Sequence, residues 1–446
     1  MRKYIVFIGI LILLIPGYFL FEASHPKTAG RYPFMLFLLA VDIYLWISIK
    51  KGMKSWNLAP RLVAGFLYWF PLAAFIVLTT ISAYRNVHLV YPPLVSYILG
   101  FAVVAYFAKV ITVAFFLLAD AFRIFRFIFR HARAKKTGIP VRQPREKMSR
   151  GKFIRTMGLA TGGVLFSGML IGMVKWAHDI RVRRVRLNIP HLPWAFDGLR
   201  IVQISDLHLG SWATTGPIEE AADIINDLDP DIVLFTGDLV NYSTDEAFRF
   251  KDILKSIKAR HGVYAVLGNH DYGDYVNWPS KREKEENMLR LFDYYEKIGW
   301  KLLRNQHEIL ESEGEKLALI GVENWSSNAR FPKLGNINEA LHGTQDIPVK
   351  ILMSHDPSHW EKEISTQYPE IDITFSGHTH GFQFGVELKK IRWSLAQYMY
   401  KYWAGLYQVE QGAKSQYLYV NRGLGMIGYP GRVGILPEIT LITLES

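Results

Sequence analysis

The pattern of apolar and polar positions changes once along the chain. Apolar runs occupy Tyr4 to Phe21, Tyr32 to Ile49, Leu62 to Ser82 and Leu89 to Ala119, and a weaker, glycine-rich run covers Met157 to Val174. The first four lack the polar face of a helix that packs on a soluble core, and they are long enough to span a bilayer. They are expected to be membrane helices, the first a retained one because no small-residue cleavage site follows it. From about Leu187 the texture becomes short apolar runs separated by amphipathic, charged segments. LRIVQI (199–204), IVLF (232–235), VYAVL (263–267), LALI (317–320), VKILM (349–353) and IDITF (371–375) read as buried strands. Pro217 to Asp227 and Asp245 to Ala259 read as helices between the first three. Strands alternating with helices predict an α/β domain whose sheet is covered on both faces. Near the C-terminus, YLYVNRGLG and GILPEITLITL read as antiparallel closing strands.

The domain organisation that follows is a helical membrane region over 1–120 with about four helices, a basic loop over 121–155, a fifth span over 156–176 and the α/β domain over 187–446. The formal net charge of +12 changes this picture little. From Arg123 to Arg155 the chain carries Arg126, Arg130, Arg133, Lys135, Lys136, Arg142, Arg145, Lys147, Arg150 and Lys152 against Glu146 alone. Flanked by apolar runs, this is a membrane-proximal loop, and it lacks the aromatic interleaving on a folded domain that nucleic-acid binding would require. With the N-terminus in the cytoplasm, this loop and the one from Lys50 to Arg61 are cytoplasmic, as the positive-inside rule expects. Five crossings then place the C-terminal domain outside the inner membrane. Arg181, Arg183, Arg184 and Arg186 weigh against that orientation, and if the fifth run does not cross, the domain stays inside. Cysteine is absent, which excludes disulfides and thiolate ligands. Asp42 and Lys109 fall inside apolar runs; such charges are costly in a bilayer, although a lysine near a helix end can snorkel to the interface.

The chemistry sits at the ends of the strands. LRIVQI is followed by SDLHLG with Asp206 and His208, IVLF by TGDLVN with Asp238, VYAVL by GNHDYG with Asn269 and His270. VKILM is followed by SHDP with His355, and IDITF by SGHTHG with His378 and His380. Open α/β sheets build their sites at this carboxyl edge. Each motif alone is weak, and their succession is what makes the signal.

DLH, GD, GNHD, SHD and GHTHG, in this order, resemble the calcineurin-like metallophosphoesterase superfamily, and the tail RGLG with PEITLITL is similar to its membrane-anchored bacterial branch. The resemblance implies a four-layer α/β sandwich, two mixed sheets flanked by helices, and hydrolysis of a phosphomonoester or phosphodiester by a hydroxide held between two divalent ions. Carried over residue by residue, Asp206, His208 and His380 would bind one ion, Asn269, His355 and His378 the other, and Asp238 both. A nitrogen and oxygen ligand set suits Mn, Fe, Zn or Ni. His270 would act on the phosphoryl oxygens or the leaving group, with Asp271 orienting its ring or capping a turn. His261, His307, His342 and His359 are expected at surface or capping positions. The related pattern runs GHTHGGQ; here Phe382 precedes Gln383, and its ring should narrow or cover the cleft. Anchoring favours a lipid or envelope phospho-compound as substrate, with the lipid bilayer as partner. The rival readings are a membrane sensor or scaffold that binds a phosphorylated ligand without turnover, and a small transporter.

Overall fold

The computed structural model describes residues 29–82, 92–137, 150–388, 391–411 and 414–446, with isolated positions between 16 and 23. The chain divides into two compact units, residues 1–87 with 97–171, and residues 88–96 with 172–446.

Among the described residues, α1 (Tyr32–Ile49), α2 (Leu58–Ser82), α3 (Pro92–Thr137) and α4 (Arg150–Val174) are four segments long and apolar enough to cross a membrane; they belong to the first unit apart from residues 92–96 and 172–174. The run at Tyr4 to Phe21 lies largely outside the described residues. The segment expected as a basic loop is helical as far as Thr137, because α3 continues unbroken past the apolar stretch. The glycines of the weaker run have a packing role. A Cβ on Gly158 would lie 2.6 Å from Phe115 Cβ, and one on Gly162 would collide with Thr112 Oγ1. Small residues four apart let α4 approach α3 closely, as in membrane helix pairs.

Asp42 and Lys109 meet. Lys109 Nζ lies 2.7 Å from Asp42 Oδ1 and donates to the Tyr68 carbonyl at 2.7 Å. Tyr106 Oη donates to Asp42 Oδ2 at 2.6 Å. Both charges are buried and partnered, so lysine snorkelling does not describe the site.

The second unit is the predicted sandwich. One sheet runs β1 (Arg181–Asn188), β14 (Glu438–Glu445), β2 (Arg200–Ile204), β3 (Ile232–Phe235), β4 (Val263–Ala265), β5 (Lys301–Leu302). The other runs β12 (Gly405–Gln411), β13 (Lys414–Val420), β9 (Ile373–Ser376), β8 (Val349–Met353), β7 (Glu315–Gly321), β6 (Gln306–Ser312). Alternation along each strand divides the core. Ile201, Ile232 and Leu234 meet Leu319, Ile351 and Phe375 between the sheets. Val202, Val233 and Phe235 point outward to Ile218, Ile225, Tyr294 and Tyr295 of α5 (Gly216–Asp227) and α7 (Lys281–Ile298). On the far side, Ile320 and Leu352 pack with Ile337, Trp360 and Ile364.

Several expectations change. Asp245 to Ala259 is not one helix: two single 3-10 turns precede α6 (Lys251–Lys255). Thr244 and Glu246 are drawn inward there, to Asn287 and to the Asn241 amide, in place of a regular solvent-facing turn. The closing strands are only half antiparallel. β13 is antiparallel to β12 and parallel to β9, and β14 is antiparallel to β2 and parallel to β1. RVRRVRLN, read as a run of charge, forms β1, an edge strand whose arginines suit an exposed edge. It begins at Arg181, before the expected boundary at 187.

Candidate metal centre

β2, β3 and β4 are parallel neighbours in one sheet, β8 and β9 in the other. Their carboxyl ends therefore deliver all seven expected ligands to one place. The connecting backbone is unusual: Asp206, Asp238, His208, His378 and His380 all have positive φ. Such conformations cost side-chain-bearing residues about 1–3 kcal/mol each and persist only where surroundings enforce them. Gly377 shows the crowding, since a Cβ there would collide with Ser205 Oγ and Asp206 Oδ2.

The donor atoms form two linked groups. His380 Nε2 lies 3.2 Å from Asp206 Oδ1 and 3.0 Å from His208 Nε2. His355 Nε2 lies 3.2 Å from Asp238 Oδ2 and 3.2 Å from His378 Nδ1. Asp238 Oδ2 is also 3.6 Å from His208 Nε2, so this carboxylate touches both groups. Asp206, His208 and His380 form one set able to hold an ion, Asp238, His355 and His378 another, and His208, Asp238 and His270 a third that joins them.

Outer contacts fix the rings. His355 Nδ1 meets the Thr236 carbonyl at 2.7 Å, which leaves Nε2 as the donor. His378 Nε2 is backed by Tyr400 Oη at 3.0 Å and Asp356 Oδ2 at 3.5 Å, which leaves Nδ1. Asn269 Nδ2 donates to Tyr275 Oη at 2.7 Å, while Asn269 Oδ1 is buried with no hydrogen-bond partner. A carboxamide whose oxygen alone is unsatisfied fits a cation. The electrostatics agree with that fit. Burial opposes ionisation of Asp206 and Asp238, yet the neighbouring imidazoles hold both well below the usual carboxylate range. Burial keeps His208 and His270 below their ordinary value. It also disfavours charge on His355, but Asp238 and Asp206 override it and push this ring up to about 10.

His270 Nδ1 rests on the Asn241 carbonyl at 2.8 Å. Asp271 does not orient that ring. Its carboxylate accepts from the amides of Gly268, Asp238 and Leu239 at 2.8–3.0 Å, tying the β3 and β4 loops together. Burial, with Asp238 close by, pushes it up to about 7, against the pull of those amides. Asp271 is thus a turn-binding carboxylate, the alternative its sequence position also allowed.

Phe382 lines a cavity of about 290 Å³ with His270, Phe331, His378 and Tyr400. Tyr275, Phe331, Tyr400 and Asp356 were not singled out by their sequence positions. Tyr275 lies in the aromatic segment after GNHD and stacks on His270 with centroids 4.2 Å apart. His359 departs from expectation: it is fully buried, its Nδ1 2.9 Å from Ser354 Oγ and its ring stacked on Trp325.

Two facing mixed sheets thus bring a carboxylate, imidazole and carboxamide cluster able to hold metal ions to their carboxyl ends. Residues 199–382 match the family described as Calcineurin-like phosphoesterase, and residues 29–176 match Probable Calcineurin-like phosphoesterase, transmembrane domain. The chain is 30% identical over 312 residues to the metallophosphoesterase YkuE of Bacillus subtilis (strain 168), covering 68% of this chain and 99% of that one. It therefore belongs to the calcineurin-like metallophosphoesterases, hydrolases of phosphate esters, and carries the transmembrane domain of that family's membrane proteins. The Danio rerio transmembrane protein with metallophosphoesterase domain is 30% identical over 68% of this chain and 66% of its own length, just under two thirds. UDP-2,3-diacylglucosamine pyrophosphatase LpxG of Chlamydia trachomatis serovar D is 29% identical over 56% of this chain and 86% of its own.

Proposed function

We propose that this membrane protein hydrolyses a phosphoester, carried on or presented by a lipid, with two divalent cations. Asp206, His208 and His380 would hold one, Asn269, His355 and His378 the other, and Asp238 both. The observation that carries this reading is the reach of Asp238 Oδ2, 3.2 Å from one imidazole group and 3.6 Å from the other. When bound, two such cations supply electrophilic pull on phosphoryl oxygens and lower the pKa of a water nucleophile. To serve as a ligand through Nε2, His355 would have to release the proton that Asp238 and Asp206 favour. His270, its Nδ1 held by Asn241, offers Nε2 to a phosphoryl oxygen or to the leaving oxygen. The rings of Phe382, Phe331 and Tyr400 exclude water and set the width of the entrance. Asp271 fixes the loops that carry Asp238 and Asn269.

Support for a lipid-linked substrate comes from the membrane-type helices in the same polypeptide and from the similarity to LpxG, a pyrophosphatase of UDP-2,3-diacylglucosamine. We place the protein in the inner membrane with the catalytic unit outside, the arrangement that keeps Lys50 to Arg61 and Arg123 to Arg155 in the cytoplasm. Protease digestion of that unit in intact protoplasts tests the placement, and protection reverses it. The activity is tested with the full chain in nanodiscs, stripped of metal and reloaded with Mn, against bis-p-nitrophenyl phosphate and a diacylated nucleotide diphosphate. Metal-dependent release of product is expected. Tight binding of these compounds without turnover would favour the sensor instead.

A further inference from the structure

The hairpin of β10 (Gly385–Leu388) and β11 (Ile391–Ser394) is built inside out. Its register pairs Val386 with Trp393 and Leu388 with Ile391 on one face, and Gly385 with Ser394 and Glu387 with Arg392 on the other. In a one-sided sheet of a water-soluble domain, the apolar face packs on the core and the polar face meets solvent. Here Gly385 and Ser394 of the second face are buried and Glu387 is half-buried, while Arg392 is exposed but folds back on the domain. Glu387 accepts from Arg422 at 2.6 Å and Arg183 at 2.5 Å, and Arg392 lies over the Trp403 ring, 4.6 Å from its centroid. The apolar face turns outward, with Leu388 63% and Ile391 57% exposed. The 3-10 turn that follows, Leu395–Tyr398, continues the surface: Tyr398 is 73% exposed, and Leu395 and Met399 are exposed beside it.

We infer that this surface seats in the interface of an anionic bilayer. Three observations favour lipid over a protein partner. The sequence puts Lys389 and Lys390 between Leu388 and Ile391, and Lys401 just beyond Met399. Aliphatic tips flanked by lysine and aromatic residues suit the boundary between acyl chains and anionic headgroups. The basic strand β1, with Arg181, Arg184 and Arg186 exposed, begins seven residues after the end of α4 and adds positive charge to this part of the catalytic unit. Arg181 and Arg183 of β1 border the same cavity of about 570 Å³ as Leu388, Ile391 and Arg392, which joins the basic strand to the hairpin. Phe382, three residues before β10, lines the catalytic cavity. The consequence is an entrance that opens toward lipid headgroups, and this goes beyond the proposed substrate: it holds whichever phosphoester is cleaved.

The absence of cysteine makes the test direct. Single Leu388→Cys and Tyr398→Cys variants of the full chain, labelled with a polarity-sensitive dye, are placed in nanodiscs of phosphatidylcholine and phosphatidylglycerol that contain nitroxide lipids. Leu289→Cys, exposed on α7, is the control. Nitroxide quenching at 388 and 398 should exceed the control by about threefold or more, with matching protection from iodide, and should fall in high salt. Adding Ile391→Ser should return the 398 label toward the control. Labels at 388 and 398 as open to iodide as the control would overturn the proposal. Protection from iodide without nitroxide quenching would also overturn it, by revealing protein against the hairpin. Neither readout depends on turnover, so the hydrolytic reading can fail while this one stands.

Discussion

Glu246 provides a quantitative test of how the catalytic loop is held. Its Oε2 accepts from the Asn241 amide at 2.6 Å, and the Asn241 carbonyl holds His270 Nδ1 at 2.8 Å. The carboxyl is buried, and burial raises it from its ordinary 4.5 to about 7, although several backbone amides pull the other way. The folded protein thus binds this proton more tightly than the unfolded chain does. The associated stability is present in full below about pH 4.5 and is lost as pH rises through about 7. A shift of that size corresponds to about 3 kcal/mol between the two limits. Glu246→Gln keeps an oxygen for the Asn241 amide and removes the titration. Its stability relative to the parent includes a constant offset from the altered hydrogen bonds, but the pH-dependent part isolates Glu246.

Denaturant unfolding of the metal-free full chain in detergent, followed by tryptophan fluorescence at pH 5 and pH 8, measures that part. The variant should gain about 2–3 kcal/mol on the parent between the two pH values. In a thermal scan this is about 4–10 °C. A parent-to-variant difference constant to within about 0.5 kcal/mol across this range would refute the reasoning. It would mean that the amides around Glu246 hold it ionised throughout.

Asp238→Asn should lower the number of metal ions bound per chain and reduce phosphoester turnover about 100-fold or more, read by elemental analysis and initial rates. Gly377→Ala should cost about 1–3 kcal/mol and weaken metal retention, because its Cβ collides with Ser205 and with Asp206, itself a proposed ligand; unchanged melting and metal content would contradict this. In the membrane unit, Lys109→Met should destabilise the protein in detergent by about 3–5 kcal/mol by leaving Asp42 buried without its cation. Asp42→Asn combined with Lys109→Met should restore most of that loss, and equal damage in single and double variants would show that the pair itself contributes nothing.

The parts of the site legible in the sequence are those fixed by strand ends. LRIVQI, IVLF and VKILM are apolar enough to be buried on both faces, and Asp206, Asp238 and His355 follow each run by one or two turn residues, so their destination follows from topology. Tyr400 and Phe331 were not legible, because they reach His378 from loops whose course depends on how the two sheets close. Tyr275 came nearer, being part of an evident aromatic segment, but nothing local links it to Asn269. β1 was hidden by its own composition, since an edge strand needs only alternate burial and fills the other positions with arginine. Asp42 and Lys109 were visible as anomalies in apolar runs, and their pairing across α1 and α3 required the helices to be assembled.

The two proposals bear on one another through Phe382. Its backbone, like that of Gly381 and Gln383, has positive φ, an arrangement that side-chain-bearing residues adopt only under constraint. Gln383 supplies that constraint, with Nε2 donating to the Tyr429 and Gly431 carbonyls at 2.6 and 3.0 Å and Oε1 accepting from the Ile427 amide at 2.7 Å. The strained turn then passes directly into β10. Its start is fixed on one side by His380, against Asp206 and His208, and on the other by a hairpin held through Glu387 to Arg422 and Arg183. The turn thus carries His380, a proposed ligand that is buried, and Phe382, whose ring is exposed at the cavity beside the hairpin. For that reason, bilayer contact at Leu388 and Ile391 should alter access to the cavity more than it alters the metal centre. Comparing the full chain in anionic nanodiscs and in detergent separates the two: KM for a bulky diester should change while bound metal does not. Loss of metal on transfer to detergent would show that the hairpin supports the ligands themselves.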